Sequence, residues 1–125
     1  MKEIKFRAWL KEKEMLVDVL GISFEEKYVR LPIESEPSDE YWWYETAWGF
    51  DEVELMQFTG LKDKNGVEIY EGDVLFDEHC DVCGVVTFEE GKFLCETETY
   101  SDDLWEVCDY MVIVGNSYDN PELIE

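Results

Sequence analysis

Short apolar runs separated by tight-turn signals constrain the fold of this chain more than any other feature of its sequence. The clearest signal is DKNG at residues 63–66, because Asn-Gly accepts the positive φ angles that a tight hairpin requires. Further turn signals are EGD at residues 71–73 and EEG at residues 89–91. Short strands at this spacing are typical of a small barrel, so the sequence predicts an all-β fold.

The pattern of apolar and polar residues places individual strands. KEIKFRAWL at residues 2–10 has a period of two, which predicts a half-buried first strand. Pro32 should lie at an edge or at the end of a strand, because it has no N–H group to donate. The apolar run at residues 110–114 predicts a buried strand, and Asn120 is expected to cap one helical turn that begins at Pro121.

Acidic residues are unevenly distributed along the chain. With 32 acidic and 10 basic residues, the formal net charge is −22 and the sequence pI is about 4.1. Residues 1–50 carry 11 acids and 7 bases, a net charge of −4, whereas residues 51–125 carry 21 acids and 3 bases, a net charge of −18. We therefore divide the chain into an N-terminal β-rich segment, 1–50, and an acidic C-terminal domain, 51–125. That domain is not expected to bind nucleic acid, which is held mainly by Lys and Arg.

Four segments of the sequence carry a resemblance to a known family. They are IKFRAW at residues 4–9, ELMQFTGLKDKNGVEIYEGDVL at 54–75, GVVTFEEGKF at 84–93 and VIVGNSYDNPEL at 112–123. With these segments the chain resembles the YopX family of phage and prophage proteins. The resemblance implies that an SH3-like β-roll follows the N-terminal segment, and that the protein is carried by phages of Gram-positive bacteria and acts inside the host cell. It implies no biochemical activity.

The cysteines offer the alternative of a bound zinc ion. Cys80 and Cys83 form a C-x-x-C motif beside His79, and thiolates at this spacing can bind a tetrahedral zinc ion. Two further ligands would have to come from Cys95 and Cys108, which do not form a second pair as they would in a zinc ribbon. We therefore expect incidental thiols that pack as small apolar groups, with no metal and no cofactor.

The sequence offers little material for catalysis. It has one histidine, no G-x-S-x-G motif and no Gly-rich phosphate loop, so we expect no catalytic residues and no enzymatic activity. No apolar stretch approaches the roughly 20 residues needed to span a bilayer, and the charged start MKEIKFRAWLKEKE does not fit a signal peptide. We therefore expect a cytoplasmic protein with reduced thiols and no contact with membranes. The family resemblance implies that this cytoplasm is that of a bacterial host.

A dense aromatic segment, YWWYETAWGF, occupies residues 41–50. In an extended chain Trp42 and Trp48 lie on one face and Trp43 lies on the other. Burial in a core or between two lobes is the simpler interpretation, since each aromatic ring buries about 150–250 Å². The alternative is that Trp42, Trp43 and Trp48 anchor a partner protein, because tryptophan is enriched at interface hot spots.

These observations together favour a protein-binding role. We expect an accessory protein of a phage or prophage that binds a host or phage protein, with an acidic field that steers a basic partner. One alternative is an acidic DNA mimic that inhibits a host DNA-binding or defence protein. Another is an SH3-like nucleic-acid-binding module. Its contacts would come from the basic residues near the N-terminus, which are Lys2, Lys5, Arg7, Lys11 and Lys13. Self-association through strand edges of the N-terminal half is a further open alternative.

Overall fold

Strands make up most of the protein. The computed structural model describes residues 3–34 and 43–124, with the side chains at 33–34 and 43–45 outside what it describes. In these ranges the chain forms antiparallel sheets and a single very short α-helix, which confirms the predicted all-β class. Within the same ranges, no helix combines the length and the apolar character that a membrane span requires.

The chain separates into two compact units. One comprises Lys5–Met56, and the other comprises Gln57–Glu125 with the first four residues. The sequence places the division after residue 50, whereas the structure places it inside a ten-residue strand, Val53–Lys62, because this strand contributes to both units. Each unit has its own buried hydrophobic cluster.

The N-terminal unit is built from short antiparallel strands. Its strands are β1 (Phe6–Leu10), β2 (Met15–Asp18), β3 (Gly21–Ser23), β4 (Tyr28–Glu34), β5 (Trp43–Gly49) and the first part of β6 (Val53–Lys62). β1 pairs with β2, and β4 lies between β3 and β5. The period of two in the first strand is confirmed, because Ala8 and Leu10 are buried and Trp9 between them is half-buried. The buried core consists of Ala8, Leu10, Val17, Val29, Leu31 and Val53.

Pro32 lies near the end of β4 and pairs with Glu45 of β5. β3 pairs only with residues 28–30, so among the described strands β4 has a neighbour on one side only at Pro32. This agrees with the predicted edge position, because proline has no N–H group to offer to a second neighbour.

The C-terminal unit is built on one five-stranded antiparallel sheet. Beyond β6, its elements are β7 (Glu68–Tyr70), β8 (Asp73–Asp77), β9 (Val82–Glu89), β10 (Lys92–Glu96), β11 (Ser101–Asp103), α1 (Leu104–Val107), β12 (Val112–Asn116) and a 3-10 turn (Pro121–Ile124). The sheet has the strand order β11–β10–β9–β8–β12, and it curls around its core as half of a barrel. That core contains Ile69, Leu75, Val86, Cys95, Leu104, Val107, Cys108 and Met111.

The predicted turns are present, although the Asn-Gly connection is wider than a tight hairpin. Gly66 has a φ of 80° while Asn65 has no positive φ, and residues 63–67 separate β6 from β7. In the turn between β9 and β10, Glu90 and Gly91 have φ angles of 53° and 79°. Positive φ at both central residues gives a two-residue hairpin the twist of its flanking strands.

Asp63 connects the Asn-Gly turn to β12. Its side chain is only 6% exposed, and its Oδ1 accepts hydrogen bonds from the N–H groups of Asn65 and Val67, both at 2.9 Å. Its Oδ2 accepts a third hydrogen bond from the N–H group of Ile113 at 3.0 Å. One carboxylate therefore fixes the turn internally and also attaches it to a strand that lies 50 residues away in sequence.

The predicted helical turn at the C-terminal end is present as the 3-10 turn that begins at Pro121. The expected cap is not formed by the Asn120 side-chain oxygen, which accepts a hydrogen bond from the N–H group of Asn116 at 3.3 Å instead. Asn116 positions the turn, because its side-chain oxygen accepts hydrogen bonds from the N–H groups of Tyr118 and Asp119 at 3.0 and 2.9 Å. The turn then packs against β9. The end of the described chain thus lies against the outer side of the sheet.

Candidate protein-binding surface

One end of the five-stranded sheet brings together segments that are distant in sequence. β8 ends and β9 begins there, with Asp77 paired to Val82. β10 ends and β11 begins at the same end, with Glu96 paired to Ser101, and β12 also begins there. We call the surface at this end the rim. It is formed by Cys80, Tyr100, Asp102 and Tyr110, together with the carboxylate of Asp77, which is only 6% exposed.

Two exposed tyrosines are the main apolar feature of the rim. Tyr100 is 44% exposed and Tyr110 is 43% exposed. Partial burial raises the pKa of both phenols, and the nearby charges of Asp77 and Asp102 raise it further. Both side chains therefore keep their O–H groups at neutral pH, so each presents an aromatic ring with a hydrogen-bond donor at its tip.

Asp77 supplies a negative charge near these tyrosines. Burial alone would raise its pKa, but hydrogen bonds from the N–H groups of His79 and Cys80, at 2.9 and 3.3 Å, lower the pKa below its ordinary value. The carboxylate is therefore ionised at neutral pH. The same two hydrogen bonds order the turn between β8 and β9, in which Asp81 takes a φ of 55°.

Further acidic side chains surround the rim. The exposed ones that lie within two residues of a rim residue in sequence are Glu78, Asp81, Glu98 and Asp109. Lys64 brings one positive charge near them, with its Nζ 4.0 Å from a carboxylate oxygen of Glu78, but both side chains are about half exposed. An ion pair of this kind is too weak to neutralise the surface. The rim therefore combines exposed aromatic rings with a negative electrostatic field.

The candidate metal ligands are distributed over different environments. His79 and Cys80 are exposed at the tip of the turn between β8 and β9, and Cys83 is half-buried in β9. Cys95 and Cys108 are buried in the core, where burial raises the pKa of Cys95 to about 12. Across the described part of the chain, no three potential ligands are grouped so that they could hold a metal ion.

We expect alkylation by iodoacetamide at about pH 8 to distinguish the four thiols in the folded protein. Cys80 should react first because it is exposed, Cys83 more slowly, and Cys95 and Cys108 only after unfolding. The charge of Asp77 raises the pKa of Cys80 above that of an ordinary thiol, so its labelling should continue to accelerate at pH values where an ordinary thiol is already ionised. Peptide mass spectrometry after timed labelling measures this order, and equal rates at all four thiols would contradict it.

The tryptophans proposed as a partner anchor lie in or near β5. Trp42 lies outside the described residues, and Trp43 lies in β5 with its side chain also outside them. Trp48 is half-buried against the N-terminal core, and its Nε1 donates a hydrogen bond to Thr46 Oγ1 at 2.6 Å. For Trp48 the packing thus matches the core interpretation of the aromatic segment.

The rim itself was not identified from the sequence. Tyr100 and Tyr110 stand in separate segments, and no periodicity connects them. Only the pairing of β11 and β12 with opposite sides of the same sheet brings them to one end. The sequence contains one weak signal for the rim, since each of these tyrosines has an aspartate within two residues. In so acidic a chain this spacing is common and does not mark a binding site.

Comparison with known proteins gives consistent results. A family model described as "YopX protein" matches residues 5–125. Among solved structures, the crystal structure of protein EF1440 from Enterococcus faecalis is similar to this chain, with a TM-score of 0.74 and 26% sequence identity. The match covers 100% of both chains. A comparison with curated proteins found no match.

Proposed function

The chain belongs to the YopX family, and from this membership and the rim we propose that it is a non-enzymatic protein-binding module of a phage or prophage. It acts in the cytoplasm of the bacterial host, where it binds a host or phage protein. The observation that carries the proposal is the pair of exposed tyrosines set among acidic side chains, next to the ionised carboxylate of Asp77. A basic surface with apolar side chains is the partner that such a site fits.

The physical chemistry of the rim suits protein recognition. Tyrosine is enriched at interface hot spots because it buries a large rigid ring at little cost in conformational entropy. The surrounding carboxylates accelerate the encounter with a basic partner and penalise an acidic one. Tyr100 and Tyr110 would supply most of the affinity, and the charges would supply rate and selectivity.

The ionisation behaviour of the rim supports a role without catalysis. A nucleophilic cysteine needs a lowered pKa, yet the pKa of Cys80 is raised by the charge of Asp77. A general base is most effective with a pKa near 7, yet the pKa of Asp77 is lowered below its ordinary value. Both shifts run opposite to those that acid–base or nucleophilic catalysis requires.

We expect the immobilised protein to capture a partner from host lysate at low salt and to lose it at about 0.5 M salt, where exposed charges are screened. The double variant Tyr100→Ala/Tyr110→Ala should reduce the affinity for that partner about tenfold or more. The control is Phe24→Ala/Phe88→Ala, which removes two other exposed aromatic rings and should leave capture unchanged.

The outcome of this capture experiment also separates the alternatives. Identical capture by all three proteins would contradict a role for the rim. A captured DNA-binding protein that duplex DNA releases would instead favour an acidic DNA mimic. A shift of labelled DNA or RNA by the protein alone, near physiological salt, would favour a nucleic-acid-binding module.

A further inference from the structure

A groove of about 590 Å³ lies on the outer side of the C-terminal sheet. One wall is the 3-10 turn, which contributes Leu123 and Ile124, and Val85 of β9 forms part of the apolar lining. The opposite wall is the segment that leads from β10 towards β11, residues 96–99. Because Val85 is paired with Glu96, both side chains lie on the outer face, away from the core that contains Val86.

The charged side chains of the groove all have the same sign. Asp81, Glu96 and Glu98 line it, and no Lys, Arg or His does. Within the described part of the chain, none of these three carboxylates forms an ion pair. The lysine of the same hairpin, Lys92, is already paired with Asp103, with its Nζ 2.9 Å from the carboxylate Oδ1. The groove therefore has an apolar lining and an uncompensated negative wall.

We propose that this groove receives an arginine side chain of the partner protein. The alkyl stem packs on Val85 and Leu123, and the guanidinium group faces the carboxylates of Glu96 and Glu98. Arginine fits better than lysine because its guanidinium is more weakly hydrated and its planar N–H groups can engage carboxylates in pairs. The volume is large enough for an arginine side chain together with part of the backbone that carries it, and it is too small for a second folded element.

The inference rests on the proposed protein-binding function, since it names the chemistry that the partner brings to a second site beside the rim. Glu98 and Tyr100 belong to the same short connection between β10 and β11, so a partner bound at the rim can reach the groove with a neighbouring residue. The backbone of this β10–β11 connection is ordered by hydrogen bonds between Thr97 and Tyr100, with N···O distances of 2.8 and 3.1 Å. The two sites are therefore held at a fixed spacing.

The probe for this test is the peptide acetyl-Gly-Arg-Gly-amide, and its matched control carries citrulline, which has the same shape without the charge. In titrations followed by amide NMR, the arginine peptide should shift Val85, Glu96 and Leu123 in a saturable manner. The citrulline peptide should cause no comparable shifts at the same concentration.

Two variants with the same loss of charge locate the site. Glu96→Gln/Glu98→Gln should weaken binding of the arginine peptide about fivefold, as expected for the loss of two partly exposed ion pairs. Glu89→Gln/Glu90→Gln removes two carboxylates at the other end of the same hairpin and should change the affinity less than about twofold, an effect of net charge alone.

Equal weakening by the two variants, or shifts that spread beyond the groove, would overturn the arginine site. Its failure is distinguishable from failure of the proposed function, because partner capture depends on Tyr100 and Tyr110. A protein that captures its partner through the rim but shows no localised shifts retains the function and loses only the arginine site. Localised shifts together with rim-independent capture would retain the arginine site and reject the rim.

Discussion

Replacing Asp63 by alanine is expected to lower the free energy of unfolding by about 3 to 4 kcal/mol, a large share of the stability of a small protein. The carboxylate is buried and accepts three backbone hydrogen bonds, from Asn65, Val67 and Ile113. Alanine leaves all three N–H groups without this acceptor, and water can reach only part of the site. Urea denaturation of the wild type and the variant measures the loss.

Two further variants show whether the loss comes from the hydrogen bonds. Asp109→Ala removes the same charge from an exposed side chain and should change the stability by less than about 0.5 kcal/mol. Asp63→Asn keeps one oxygen for the turn but places an amide near the N–H group of Ile113, so an intermediate loss of about 2 kcal/mol is expected. Equal stability of Asp63→Ala and Asp109→Ala would rule out the role assigned to this carboxylate.

The second large effect is expected at Gly84, where alanine should cost about 2 to 3 kcal/mol. A Cβ atom at this position would lie 2.5 Å from the Sγ of Cys95 and 3.2 Å from the backbone oxygen of Glu96. Cys95 cannot easily withdraw, because it is buried in the core and its Sγ lies 4.0 Å from the Sδ of Met111. The added methyl group therefore has to displace the strand.

A double-mutant cycle tests this explanation. Cys95→Ala alone should cost about 1 kcal/mol through the small cavity that it leaves. If the Sγ atom causes the clash, the variant Gly84→Ala/Cys95→Ala should be more stable than the sum of the two single losses predicts, by at least about 1 kcal/mol. Strict additivity would show that the clash with Glu96 and the backbone dominates instead.

The local features of the fold followed from the sequence because local chemistry determines them. The Asn65-Gly66 turn, the hairpin through Glu90 and Gly91 and the turn that begins at Pro121 each depend on the conformational preference of one or two residues. The all-β class followed from the same turn signals, which separate short apolar runs. The third hydrogen bond of Asp63 did not, since its donor lies 50 residues away and only tertiary structure supplies it.

The candidate binding surface could not be predicted for the same reason. The dense tryptophans of residues 41–50 are the most visible candidate anchors in the sequence, yet the one with a described side chain, Trp48, packs against a core. Tyr100 and Tyr110 are unremarkable in sequence and become a pair only when the sheet curls. Sequence composition thus shows that most of the negative charge lies in residues 51–125, but it does not locate the rim.

Strand β6 limits how this protein can be divided or recombined. The boundary between the units falls between Met56 and Gln57, in the middle of a continuous strand, and not in a linker. A C-terminal fragment that starts at Gln57 would begin inside a strand and leave Val53 behind, where it belongs to the other core. Separating the two units at this boundary would therefore cut β6 and divide its residues between the two fragments.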